Sequence, residues 1–133
     1  MKVEQIYTKC LAQGSYFIES NGEAVVIDPL RDVDEYIKLA EQNNSKIKYV
    51  IETHFHADFI SGHLDLSKLL NAPIVFGPDA STNYNIINAK HEQLFEIGNI
   101  KIQVLHTPGH TPESSCLLLY DEEGNRHLSL IHI

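Results

Sequence analysis

Two short histidine-bearing segments constrain the fold of this chain more than any other feature. The first, Thr53-His54-Phe55-His56-Ala57-Asp58-Phe59, carries histidines at i and i+2 and an aspartate at i+4. The second, Thr107-Pro108-Gly109-His110-Thr111, adds a distant histidine. Imidazole groups suit zinc and iron, and a carboxylate added to two histidines favours non-haem Fe(II). If these groups form one metal site, the fold must bring together two segments that lie about fifty residues apart.

The residues before the first segment predict a strand that delivers it to the site. The β-rich run 48–52 leads directly to the first histidine. In an extended chain, residues i and i+2 point the same way, so His54 and His56 can face one cavity, with Asp58 continuing the row. The turn at Pro108-Gly109 can aim His110 back at them. The sequence therefore predicts a metal site built from these four residues.

The remaining patterns predict a mixed α/β domain in which ligand candidates lie at strand ends. Alternating or β-rich runs predict further strands at 2–7, 15–19, 24–27, 74–76, 92–96, 99–105 and 114–120, and residues 80–90 are predicted to be irregular. A turn at 20–23 is predicted to join the strands 15–19 and 24–27, and the strands 92–96 and 99–105 are predicted to form a hairpin around Gly98.

Two helices are predicted between the strands. In the first, a capping box of Asp32 and Glu35 precedes a helix that ends near Asn43-Asn44. The residues predicted to share its apolar face are Val33, Tyr36, Ile37 and Ala40. The second covers 61–70, and the leucines predicted to point inward are Leu66, Leu69 and Leu70.

The other histidines and Cys116 have less specific interpretations. His63 is predicted to be structural or at the rim of the site, and the histidines that follow no pattern (His91, His127 and His132) are interpreted as exposed or incidental. Cys116 lies in an apolar run, which is more typical of packing than of a reactive thiol.

Composition excludes several classes of function. A chain of 133 residues is enough for one modest core, and its net charge of −8 argues against binding a nucleic-acid backbone. No apolar run approaches the roughly 20 residues of a membrane helix, and residues 1–5 lack the apolar core of a signal peptide. We therefore expect a cytoplasmic protein with no membrane or nucleic-acid partner.

The motifs resemble those of a known family. Thr-His-x-His-x-Asp and Pro-Gly-His-Thr, with Val26-Ile27-Asp28-Pro29 upstream, resemble the metallo-β-lactamase superfamily, and the resemblance extends from about Tyr7 to Tyr120. The longer strings 10–16 and 54–64 are more similar to persulfide dioxygenases, especially the bacterial branch that is often fused to rhodanese domains. The resemblance implies an αββα sandwich, of which this chain holds only the N-terminal part.

The resemblance also implies a particular metal site. Dinuclear hydrolases of the superfamily, such as glyoxalase II, carry a histidine directly after the motif aspartate, where this chain has Phe59. Persulfide dioxygenases hold one Fe(II) through two histidines and one aspartate, and the matching histidines are His54 and His110. His56 and Asp58 would then lie beside the iron or serve as alternative ligands. A thiol persulfide and O2 would react there to give sulfite and the free thiol. The resemblance therefore implies that no side chain acts as a catalytic nucleophile.

The end of the chain departs from the family pattern. The third iron ligand should be an aspartate in a Thr-Gly-Asp-like segment after the next strand, which should begin near His127, but residues 128–133 read Leu-Ser-Leu-Ile-His-Ile and no Gly-Asp pair is present. These six residues match a translated transposase mosaic-end adapter (CTG TCT CTT ATA CAC ATC). We interpret 1–127 as domain and 128–133 as a non-native tail, the alternative being a real buried strand.

Two other functions stay open at this stage. One is a zinc-dependent, glyoxalase II-like thioester hydrolase, and the other is a truncated domain with no activity. Phe59 favours the dioxygenase over the hydrolase, because a phenyl ring cannot bind a second metal ion.

Overall fold

The computed structural model describes residues 2–8, 13–29, 33–52, 63–76, 86–106, 115–121 and 126–131. Within these ranges the chain forms strands and two helices in the order β1 (Lys2–Thr8), β2 (Gln13–Ser20), β3 (Glu23–Ile27), α1 (Asp34–Gln42), β4 (Lys46–Ile51), α2 (His63–Leu70), β5 (Ile74–Phe76), β6 (Ile87–Asn88), β7 (Leu94–Ile97), β8 (Ile100–His106), β9 (Ser115–Tyr120) and β10 (Arg126–Ile131). Neither described helix is long and apolar enough to cross a membrane.

The first sheet is mixed, with strand order β1-β2-β3-β4-β5-β6. Its first three strands are antiparallel, and β2 turns into β3 through Asn21 and Gly22, which both have positive φ, as two-residue hairpin turns often require. From β3 to β6 the strands are parallel, with α1 connecting β3 to β4 and α2 connecting β4 to β5. The carboxyl ends of the parallel strands therefore share one edge.

The second sheet is antiparallel, with strand order β10-β9-β8-β7. The β7–β8 hairpin turns at Gly98, whose φ is +56°, and confirms the hairpin predicted around this glycine. β10 pairs with β9, with Leu128 opposite Leu119 and Ile131 opposite Cys116. Residues 128–131 thus belong to a strand, while the non-native origin of 128–133 stays a prediction.

Two apolar layers hold the elements together. The sheets face each other across a core whose members are Ile18, Val25, Ile27, Ile51, Val75 and Ala89 from the first sheet side and Phe95, Ile97, Ile100, Ile102, Val104, Leu117 and Leu119 from the second. On the other face of the first sheet, α1 packs its buried residues Tyr36 and Ala40 against Phe17, Val26 and Val50. This helix-on-sheet-on-sheet arrangement confirms the predicted mixed α/β fold.

Two local predictions about the helices were wrong. α1 begins at Asp34 with Val33 in the N-cap position, and no side chain of the described residues caps it. Asp32, the predicted N-cap residue, lies outside the described residues, but it precedes Val33 and therefore does not hold the N-cap position. Asp34 and Glu35 instead place negative charge in the first turn, where it interacts favourably with the helix dipole.

The predicted inward orientation of Leu69 was also wrong, since this side chain is 65% exposed. Leu70 is partly buried and packs, as predicted, against the apolar residues between α1 and the first sheet (the α1 layer). The side chain of Leu66 lies outside the described part of the chain. Consecutive residues of a helix differ by about 100° in direction, so a short helix that turns Leu70 inward turns Leu69 away from the same contact.

Candidate metal centre

The predicted metal ligands lie outside the described residues. This applies to His54, His56, Asp58 and His110, and to Phe59 as well. His63 is the first residue of α2, and its side chain is also outside the description. Among the described residues, no group of three or more His, Cys, Asp or Glu side chains is placed to hold a metal ion. What the structure describes is the frame from which the two histidine segments extend.

Contacts between the sheets show that β4 and β8 run in the same direction. The Nζ of Lys48 donates a hydrogen bond to the Glu96 carbonyl (3.2 Å), and the rings of Tyr49 and Phe95 meet edge to face with centroids 5.2 Å apart. Lys48 thus contacts Glu96, and the next residue of β4, Tyr49, contacts the preceding residue of β7, Phe95. The two strands therefore run in opposite directions. Because β8 is antiparallel to β7, it advances together with β4.

Both strands start at the same end of the sandwich. The Lys46 N–H donates to the Gly22 carbonyl at the start of β4 (2.9 Å). At the start of β8, the Gly98 N–H donates to Glu23 Oε1 (2.7 Å) and the Asn99 N–H to Ser20 Oγ (3.3 Å). The β2–β3 turn therefore contacts the beginnings of both strands.

It follows that both strands finish at the opposite end. Glu52 follows β4 directly, and His106 is the last residue of β8. These are the described residues that precede the two histidine segments. The frame therefore meets the requirement set by the sequence, because the two strands leading to the segments end on one side of the molecule. The ligand assignment itself stays a prediction.

Backbone hydrogen bonds tie the strand ends together at this edge. The Asp28 N–H donates to the Ile51 carbonyl (2.9 Å), and the Glu52 N–H donates to the Val75 carbonyl (2.8 Å). The last residue of β4 and the residue after it are thus held from both neighbouring strands. A rigid base of this kind limits the positions available to a side chain that follows it.

Two buried carboxylic side chains lie at the same edge. Asp28 and Glu52 are each 1% exposed, and each directly follows its strand at the paired residues Ile27 and Ile51. Asp28 adopts φ of +50°, a left-handed conformation that aspartate tolerates better than most residues. No sequence pattern predicted Glu52 to be a site residue. The signal that could have indicated it is its position between a β-rich run and the first histidine. A fully buried strand favours an apolar residue at such a position, so a glutamate there is unusual.

A buried hydroxyl pair fixes the end of β3 from the other side. Ser15 Oγ donates to the Ile27 carbonyl (3.0 Å) and lies 2.8 Å from the Tyr36 hydroxyl. A serine hydroxyl has one hydrogen, so Tyr36 is the donor to Ser15. Both residues are 0% exposed. The pair links β2, β3 and α1 one residue before Asp28.

Comparison with known proteins identifies the family. The sequence profile of the Metallo-beta-lactamase superfamily matches residues 9–125. The chain belongs to this superfamily. A hydroxyacylglutathione hydrolase from Pelagibacter ubique (strain HTCC1062) is 30% identical over 121 residues, which are 87% of this chain and 50% of that protein. A cytoplasmic hydroxyacylglutathione hydrolase from Arabidopsis thaliana is 32% identical over 123 residues, covering 89% of this chain and 47% of that protein.

Solved structures confirm the predicted metallo-β-lactamase fold. A metallo-beta-lactamase from Staphylococcus aureus subsp. aureus COL superposes with a TM-score of 0.83 at 41% identity, over 97% of this chain and 41% of that one. ETHE1 from Myxococcus xanthus superposes with a TM-score of 0.82 at 29% identity, over 90% of this chain and 54% of that one. The chain thus spans about half the length of the relatives that it matches.

Proposed function

We propose that this chain is part of a mononuclear Fe(II) persulfide dioxygenase. The observation that carries the proposal is Phe59, which stands where dinuclear hydrolases of the superfamily have a histidine. A phenyl ring offers no donor atom, so a second metal ion would lose a ligand there. The similarity to ETHE1 also supports a relation to the persulfide dioxygenases of the superfamily.

The donor set fits one iron ion. His54 and His110 would hold it, and His56 and Asp58 would lie beside it or act as alternative ligands. The site would be completed by an aspartate of a Gly-Asp motif, and this sequence contains no Gly-Asp pair. Two histidines and one carboxylate are the ligands typical of non-haem Fe(II) oxygenases, which leave positions open for substrate. When bound, the iron supplies the redox chemistry, while the protein supplies geometry and access.

The proposed reaction balances without a further co-reactant besides water. One thiol persulfide, one O2 and one water give one thiol, one sulfite and two protons. The bond between the two sulfurs breaks, and the outer sulfur forms bonds to oxygen. The two sulfurs together lose four electrons, and O2 takes up the same four. No side-chain nucleophile is required.

The described frame supports this function by fixing where the ligands start. β4 and β8 deliver the two histidine segments from one end of the sandwich, and hydrogen bonds from β3 and to β5 immobilise the end of β4. Ligands that start from immobilised strand ends lose little conformational freedom when a metal binds.

The test uses the full-length protein, because the chain covers about half of its relatives. We expect it to purify with about one iron per subunit and to consume O2 when glutathione persulfide is added. His54→Ala should lose the metal, because one of its few direct ligands is gone. Iron and O2 uptake retained by this variant would contradict the ligand assignment.

A second candidate is a zinc-dependent thioester hydrolase. It is favoured by the identity to proteins named hydroxyacylglutathione hydrolases, at 30% and 32%. This alternative predicts two tightly bound zinc ions per subunit and thioester hydrolysis without O2 uptake. The same preparation therefore separates the two functions.

If the 133-residue chain alone has no activity while the full-length protein does, this chain is an inactive part of the domain.

A further inference from the structure

Glu52 is a charged residue in a place that ordinarily favours an apolar one. It continues β4 directly after Ile51, and its side chain is only 1% exposed. The preceding residues of the strand, Val50 and Ile51, are buried apolar residues in the layers on opposite faces of the first sheet. Burying a carboxylate costs several kcal/mol unless donors or a cation compensate for the lost water. Because burying the Glu52 carboxylate costs this much free energy, its presence here indicates a role that an apolar side chain cannot fill.

The backbone of Glu52 has little freedom. Its N–H donates to the Val75 carbonyl (2.8 Å), and the carbonyl of the preceding residue, Ile51, accepts from the Asp28 N–H (2.9 Å). The base of the Glu52 side chain is thus defined by contacts with both neighbouring strands. A side chain whose backbone is held in this way loses less conformational freedom when it orients another group.

The position of Glu52 in the sequence identifies the group that it can orient. Glu52 stands two residues before His54 and four before His56. A histidine that binds a metal through one ring nitrogen usually donates the N–H of the other to a carboxylate or a carbonyl. That hydrogen bond selects the tautomer and the ring orientation, and it makes the imidazole a better ligand.

We propose that Glu52 is a positioning residue of the metal centre, whose carboxylate accepts a hydrogen bond from the ring N–H of a metal-binding histidine in segment 53–59. The inference rests on the proposed metal site but not on the choice between dioxygenase and hydrolase. Glu52 does not contact the substrate, and it acts through the histidine that it orients.

The test compares metal affinity among variants of the full-length protein, measured by competition with a chelator. Glu52→Gln keeps the shape but has a weaker acceptor, and we expect about a 10-fold loss of Fe(II) affinity; Glu52→Ala should lose up to about 100-fold. The matched control is Glu96→Gln, which changes an exposed carboxylate on β7 and should leave the affinity unchanged. A Co(II)-loaded sample provides a second readout, since Glu52→Gln should shift its visible absorption and Glu96→Gln should not.

The stability of the metal-free protein separates positioning from a purely structural role. We expect metal-free Glu52→Gln to unfold within a few degrees of the wild type while its affinity falls. If affinity and the Co(II) spectrum stay unchanged, or if affinity falls only together with the metal-free melting temperature, the proposal is wrong.

If His54→Ala retains the metal, the ligand assignment fails first. If the wild type binds two zinc ions and hydrolyses thioesters, the dioxygenase fails while the role of Glu52 is still decided by its own variants.

Discussion

At the scale of single residues, Gly98 illustrates how a position opposite the candidate site determines the fold. Its φ is +56°, and a Cβ at this residue would overlap the Ser20 carbonyl, lying 2.6 Å from the carbonyl carbon. Its N–H also donates to Glu23 Oε1. The close approach of the two sheets at this end therefore requires a residue without a side chain.

Gly98→Ala should destabilise the protein by about 3 kcal/mol, because strain and a backbone overlap act together. Gly22→Ala is the matched control. Gly22 also has positive φ (+85°), but the nearest atom to its added Cβ would be 3.9 Å away, so only about 1 kcal/mol is expected. Denaturant unfolding of both variants measures the difference. Equal losses would show that the contact with Ser20 is not a constraint.

The buried hydroxyl of Tyr36 allows a second prediction at this scale. Tyr36→Phe removes the donor to Ser15 Oγ while keeping the ring, and we expect a loss of about 1 kcal/mol. Tyr120→Phe also removes a hydroxyl donor, here to Gln103 Oε1 at 2.9 Å, but in a partly exposed place where water can replace it. Thermal unfolding should show a smaller effect for Tyr120→Phe, and the reverse order would contradict the assigned hydrogen bond.

At the scale of elements, α2 and β9 contribute differently although both are rich in leucine. Leu69 of α2 is 65% exposed, whereas Leu119 of β9 is fully buried in the core between the sheets. The apolar pattern of α2 alone predicted both Leu69 and Leu70 to point inward. Only the position of the helix against the α1 layer shows which of them does.

The same substitution tests this distinction. Leu119→Ala should cost about 2–5 kcal/mol, because it removes buried methyl groups and leaves a cavity. Leu69→Ala should change stability by less than about 0.5 kcal/mol, as is usual on a surface. Chemical denaturation of the two variants provides the comparison, and a large loss for Leu69→Ala would restore the original inward prediction.

At the scale of the whole molecule, the described contacts join the two sheets at the end opposite the candidate metal centre. Gly98 and Glu23 connect them at one end, and the two histidine segments leave from β4 and β8 at the other. A metal ion bound by residues of both segments would join the second end in the same way. The bound metal would then stabilise the folded state as a whole and not one loop alone.

We therefore expect metal to raise the melting temperature of the full-length protein. At a free metal concentration of 100 times Kd, the gain in the free energy of unfolding is about 2.7 kcal/mol, provided that the unfolded chain does not bind. Calorimetry with and without Fe(II) measures it. His54→Ala should abolish the gain, and an equal gain in this variant would show that the metal binds elsewhere.

Much of the fold could be predicted from the sequence because local patterns dictate local structure. Alternation and β-rich runs predicted the hairpins and the strand before His54, and the spacing of Val33, Tyr36 and Ala40 predicted the buried face of α1. The short strand β6 was missed within residues 80–90, since its two residues carry no period and are held only by pairing with β5. The capping box failed because Val33, and not Asp32, precedes the first helical turn.

The sequence by itself determined the donor types, since imidazole and carboxylate chemistry follows from residue identity at His54, His56, Asp58 and His110, and Phe59 removes a donor wherever it lies. Only the tertiary structure decided that β4 and β8 run together and end at one side. It also decided that Glu52 is buried and held at that edge. Strand direction across two sheets and the burial of a charge depend on contacts between residues far apart in the chain. No local pattern encodes these contacts, because each strand would show the same alternation in either direction.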